Sequence, residues 1–147
     1  MKTFKYTSKN TIQHLSLHDC FCARMYWDCT YLIFEMEWME VLASHPDNPF
    51  EKAHQSGIGK IVLSDAVINS AALIDGDIIH PINKGDEIND FEILKFDEKC
   101  KETGYELSMF GDSVSNPSAD FIEMNITYSE SGVMFDGLCD VSWFETM

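Results

Sequence analysis

Lysine and arginine are scarce in this sequence: ten of them stand against twenty-five aspartates and glutamates in 147 residues. None follows Lys101, whereas nine carboxylates do, from Glu102 to Glu145. The formal net charge is −15. Contact with phosphate needs clustered cations, so nucleic-acid binding is disfavoured, and attraction to an anionic membrane surface with it. An uncharged apolar run of the roughly 18–20 residues that a spanning helix requires is missing as well. The opening MKTFKYTSKN lacks the apolar stretch of a signal peptide. Together these absences point to a cytoplasmic protein with neither nucleic acid nor membrane as a partner. An acidic surface does attract cationic partners, and such steering raises association rates by roughly 10- to 1,000-fold at low salt. Solubility alone is the plainer use of such a charge.

Cysteine is present in an odd number: Cys20, Cys22, Cys29, Cys100 and Cys139. In a chain read as cytoplasmic, these are reduced thiols rather than a disulfide framework. Hydrophobic residues make up 45% of the chain, enough for the core of one domain spanning residues 1–147.

Helical periodicity is scarce, and period-two alternation recurs. Leu32, Phe34, Met36 and Trp38 share one face of a strand, with Glu35 and Glu37 on the other. Ile122, Met124, Ile126 and Tyr128 stand opposite Glu123, Asn125 and Thr127. A third alternation sets Val133, Phe135, Cys139, Val141 and Trp143 inward, and Asp136 and Asp140 outward. Weaker strand patterns cover 3–7, 12–17, 21–27, 58–64, 66–73, 91–96 and 105–110. Asn48, Pro49, Glu51 and Gly57 fit the cap, first turn and stop of one short helix over about 49–56. Asp75-Gly76, Lys84-Gly85, Gly111-Asp112 and Asn116-Pro117 are turn signals. Ser129–Gly132 reads as a hairpin turn with Gly132 at positive φ. The expected fold is mainly β: an antiparallel two-layer β-sandwich or half-rolled barrel with that one helix. Trp27, Trp38 and Trp143 are expected in its core.

Few residues suggest chemistry. His18, Cys20, Cys22 and Cys29 are of metal-ligating type, but the spacing is not that of a zinc knuckle and no second pair follows. Neither a metal nor any cofactor is expected. Cys20 near His18 lacks the surroundings of a cysteine nucleophile, and no phosphate-binding loop appears. No catalytic residue is assigned. His18 and Asp19 read as a structural turn, because a straight strand would bury Asp19 beside Leu15 and Leu17 at a cost of several kcal/mol. The outward carboxylates Glu35, Glu37, Glu123, Asp136 and Asp140 are the candidate partner-binding residues. Like charges gathered on one sheet repel, and a basic protein partner would account for their retention.

The run Ser16-Leu17-His18-Asp19-Cys20, followed by two strands, an Asn-Pro crossover and the apolar strand Ile61-Val62-Leu63, resembles a group of small bacterial β-sandwich proteins. Their first strands carry an HD pair, and some are immunity proteins of toxin systems. The resemblance covers the first half of the chain and implies an intracellular binding protein that occludes a partner. The reading that follows is a non-enzymatic acidic binding module, an inhibitor of a basic protein toxin. The alternatives are a small-ligand or metal-dependent enzyme, and an assembly domain pairing through a strand edge.

Overall fold

The protein is described by a computed structural model covering residues 3–113 and 120–146. The described residues form fourteen strands: β1 (Tyr6–Lys9), β2 (Leu15–Ser16), β3 (Phe21–Asp28), β4 (Tyr31–Met36), β5 (Glu40–Val41), β6 (His54–Ser56), β7 (Gly59–Ser64), β8 (Val67–Asp75), β9 (Ile78–Pro81), β10 (Ile88–Lys101), β11 (Gly104–Ser113), β12 (Phe121–Tyr128), β13 (Glu130–Phe135) and β14 (Leu138–Val141). Ten of them make one sheet in the order β1-β13-β7-β4-β3-β10-β11-β12-β8-β9, and four make a second in the order β14-β6-β5-β2. Every pairing is antiparallel. The mainly β, antiparallel fold expected from the alternation is the one observed, and the large sheet does not close into a barrel.

Alternation explains how the large sheet covers a core. Leu32, Phe34, Met36, Ile61, Leu63, Val133 and Phe135 bury one face of its first half. Phe91, Ile93, Leu107, Met109, Ile122, Met124, Ile126 and Tyr128 bury one face of its second half. Both sets belong to one cluster, so the sheet is folded over and its halves form two layers with a shared interior. Phe34 of β4 meets Phe96 of β10 edge to face across that interior, with ring centroids 5.6 Å apart.

A corner completes the fold. The β7–β13 ladder ends at Glu130 opposite Ser64, and the β8–β12 ladder begins at Thr127 opposite Val67. The intervening residues keep the same register, so one long strand pair bends from the first layer into the second. Ser129 fixes the bend: its N–H donates to the Ser64 carbonyl at 2.9 Å and its hydroxyl donates to Asp65 Oδ2 at 2.9 Å. Asp65 takes a left-handed φ of 53°, a conformation that aspartate tolerates better than most residues.

Several local expectations are corrected. No helix covers 49–56; His54–Ser56 is strand β6. Asn48 organises a loop there instead, donating to the carbonyls of Val41, Leu42 and Lys52 and accepting from the Phe50 N–H. Residues 12–17 are a 3-10 turn and the short strand β2 rather than one strand. Gly132 is paired inside β13 and is absent from the positive-φ glycines, and β12 and β13 lie in different layers, so Ser129–Gly132 is no hairpin. Gly111-Asp112 lies within β11. Gly76 and Gly85 do turn at φ 58° and 108°. Asn116-Pro117 lies outside the described residues. The third alternation spans two sheets: Val133 and Phe135 are buried, whereas Cys139, Val141 and Trp143 are exposed on and after β14. Trp143 therefore leaves the expected core, while Trp27 and Trp38 pack against it. No helix among the described residues is long and apolar enough to cross a membrane.

Candidate functional site

His18 and Asp19 lie in a turn that rests on strand β10. β10 bulges between Ile93 and Lys95 where it pairs with β11. A bulge leaves backbone groups unpaired, and the turn supplies partners. His18 Nδ1 donates to the Leu94 carbonyl at 2.7 Å, and the Asp19 N–H donates to the Ile93 carbonyl at 2.8 Å. The Ile93 N–H returns a bond to the Cys20 carbonyl at 2.8 Å. Asp19 has φ 68°, and its carboxylate lies 3.4 Å from His18 Nε2. The Nδ1 bond to Leu94 and the two backbone bonds to Ile93 thus hold the turn on the sheet.

The thiols do not form a metal centre with it. Cys20 and Cys22 are fully buried, and Cys29 is exposed in the β3–β4 turn at the far end of β3. Burial pushes both buried thiols up to about 12, so neither ionises near neutral pH to act as a nucleophile.

The five candidate carboxylates divide among three surfaces. Glu35 and Glu37, at the end of β4, border a depression of 430 Å³ floored by Phe4, Ala23 and Ile58. Glu35 is already matched there, 3.6 Å from Arg24 and opposite Lys60 in the ladder. Asp136, next to Ile58 through a backbone bond, accepts the Lys5 N–H at 3.2 Å. Asp140 is exposed on β14 in the small sheet. Glu123 is exposed on β12 in the second layer.

Around Glu123 the pairing register builds a surface that sequence reading missed. On the outer face of the second layer, Glu92, Asp112, Phe121, Ile74 and Ile79 stand opposite one another across five strands. The next row places Lys95 opposite Phe110, and Phe110 opposite Glu123. Phe110 and Phe121 stack diagonally, with centroids 5.2 Å apart and planes 22° from parallel. Phe121 and Ile79 are 38% and 66% exposed, so this apolar stripe faces solvent. The Asp19 turn adds its carboxylate beside Glu92. Glu92 is held above the ordinary carboxylate range, first by burial and then by its bond to Asp19, with Asp112 adding to the effect and His18 opposing it. Among the described residues, no lysine or arginine pairs with Glu92, Asp112 or Glu123; Lys95 is 3.6 Å from Asp97. A shallow hollow of 520 Å³, lined by Phe110, Glu123, Asn125 and Ser108 with Lys95 at its side, indents the same face. The available signal was the repeated aromatic-x-acid spacing of Phe110-Gly111-Asp112 and Phe121-Ile122-Glu123, which antiparallel pairing brings side by side.

Comparison with protein-family models, curated proteins and solved structures returns no match.

Proposed function

We propose that the protein is a non-enzymatic cytoplasmic binding module that recognises a basic protein, in the manner of an immunity-type inhibitor occluding a cationic toxin. The observation that carries this reading is the outer face of the second layer. Glu92, Asp112 and Glu123 lie there without a lysine or arginine partner among the described residues, beside the exposed Phe121 and Ile79. Like charges on neighbouring strands destabilise a sheet, and a cationic partner relieves that repulsion. Exposed aromatic and aliphatic groups supply the buried anchors from which most interface energy comes. The net charge of −15 extends the attraction beyond contact range.

The test is retention of a partner from a lysate of the source cells, followed by titration of the purified partner at increasing salt. A basic partner is expected, with affinity that falls as ionic strength rises from about 0.05 to 0.3 M and the screening length shortens below ~10 Å. An acidic partner, or a basic one whose affinity is indifferent to salt, contradicts the proposal.

A further inference from the structure

We propose that Phe110, Phe121, Asp112 and Glu123 form an arginine-recognition site, in which a partner's guanidinium packs against the solvent-facing side of the stacked ring pair and is held by the flanking carboxylates. The inference rests on the reading of the protein as a module for a basic partner, and adds which cation is read and where.

The site follows from register. On the outer face of β11 and β12, Phe110 is opposite Glu123 and Asp112 is opposite Phe121. The positions between them, Gly111 and Ile122, pair with each other and face the core, where Ile122 is fully buried and Gly111 lies against the Phe91 ring, so alternation turns all four side chains outward. The result is a two-by-two pattern with rings on one diagonal and carboxylates on the other. Directly opposed side chains lie about 4.5–5.5 Å apart at Cβ and diagonal ones about 7–8 Å. A planar guanidinium with five donors can therefore cover a ring while reaching carboxylates on either side. Glu92 and Asp19 extend the negative potential past Asp112, and Ile74 and Ile79 extend an apolar floor past Phe121.

The protein already holds an arginine in this way. Arg24 is its only arginine. The Arg24 guanidinium carbon lies 3.9 Å from the centre of the Tyr26 ring, with Nε 2.6 Å from Glu87 and a terminal nitrogen 3.6 Å from Glu35. One ring and two carboxylates suffice there. The β11–β12 pattern offers two rings and two carboxylates, and the nearest cation in the ladder, Lys95, is drawn to Asp97. Lysine is a poorer fit, because its ammonium is a strongly hydrated point charge that gains less from a ring face and cannot bridge two carboxylates in a plane.

The probes are a hexa-arginine and a hexa-lysine peptide, titrated into the full chain at low salt with amide NMR shifts followed. Hexa-arginine is expected to bind roughly three- to fivefold tighter than hexa-lysine, with shifts centred on residues 110–112 and 121–123. The variant Phe110→Leu/Phe121→Leu keeps the apolar bulk and should reduce that preference to near unity. The near-isosteric Asp112→Asn/Glu123→Gln should weaken both peptides, and unchanged shifts at Leu107 and Ile126 verify that each variant is folded. Equal affinities for the two peptides overturn the arginine assignment. Shifts centred on Glu35 and Glu37, with the Phe variant behaving as wild type, overturn the site while leaving the basic-partner reading intact. If neither peptide binds, both proposals fall.

Discussion

Glu40 is a carboxylate set in the interior of the fold. It is 2% exposed on β5, and its Oε2 has no hydrogen-bond partner among the described residues. Burial raises its carboxyl above the ordinary 4.5, with the Ser142 hydroxyl pulling the other way. The folded chain therefore binds this proton more tightly than the unfolded chain does. Its contribution is most favourable below the ordinary value and is lost as pH rises through the raised one. Glu40→Gln removes the charge and keeps the shape. Urea denaturation near neutral pH should show a gain on the order of 1–3 kcal/mol, because the amide leaves no buried charge to desolvate, fading toward about pH 4. A gain independent of pH would show that the charge is not its source. His45, also 2% exposed, titrates in the opposite sense. Burial lowers its imidazole from 6.5, so the neutral ring is favoured and its contribution is lost as pH falls below that value.

Among the strands, glycine has different meanings at two corners of the sheet. Gly104, after the β10–β11 turn, has φ 108°, and a Cβ there would meet the Tyr128 carbonyl oxygen. Gly132, inside β13, would place a Cβ 3.6 Å from the nearest atom, the flexible end of Met134. Gly104→Ala should lower stability by about 2 kcal/mol or more, adding backbone strain to a clash, whereas Gly132→Ala should stay within about 0.5 kcal/mol or gain slightly. Thermal melts of the two variants compare them directly. The contrast marks what a sequence can and cannot reveal. The β4 and β12 alternations were legible because each strand buries a single face. Gly132 resembled a turn residue because Ser, Glu and Gly cluster there, yet the ladder claims it. Asn48, Pro49, Glu51 and Gly57 carry a helix-cap pattern, but the Asn48 amide spends its donors on distant carbonyls and β6 takes His54–Ser56. Alternation from Val133 to Trp143 could not report that the chain changes sheets at Asp136 and Gly137. The Phe110–Phe121 pattern was hidden because only pairing register makes those residues neighbours.

For the whole molecule, the ends of the ten-stranded sheet decide whether copies join. The Ile82 N–H bonds to the Ala71 carbonyl, so Ile78 and His80 turn their backbone groups toward β8, and Ile79 and Pro81 turn theirs to the free edge. Pro81 withholds a donor at that edge, and the opposite edge, β1, carries the exposed Lys9. Both are features that discourage strand addition. Sedimentation over a rising concentration series should show a single species of 16.8 kDa. Pro81→Val, which restores an outward N–H, should associate with increasing concentration once salt screens the charge; wild-type dimers at micromolar concentration would contradict this. The corner at Ser64 and Ser129 has a further consequence during synthesis. The two arms of that bent strand pair bring together distant parts of the chain, Ser64 with Glu130 and Val67 with Thr127, and β1 waits for β13. Neither layer can be sealed until β12 and β13 have been made, so the apolar faces of β4 and β7 must wait uncovered for the second layer that closes over them.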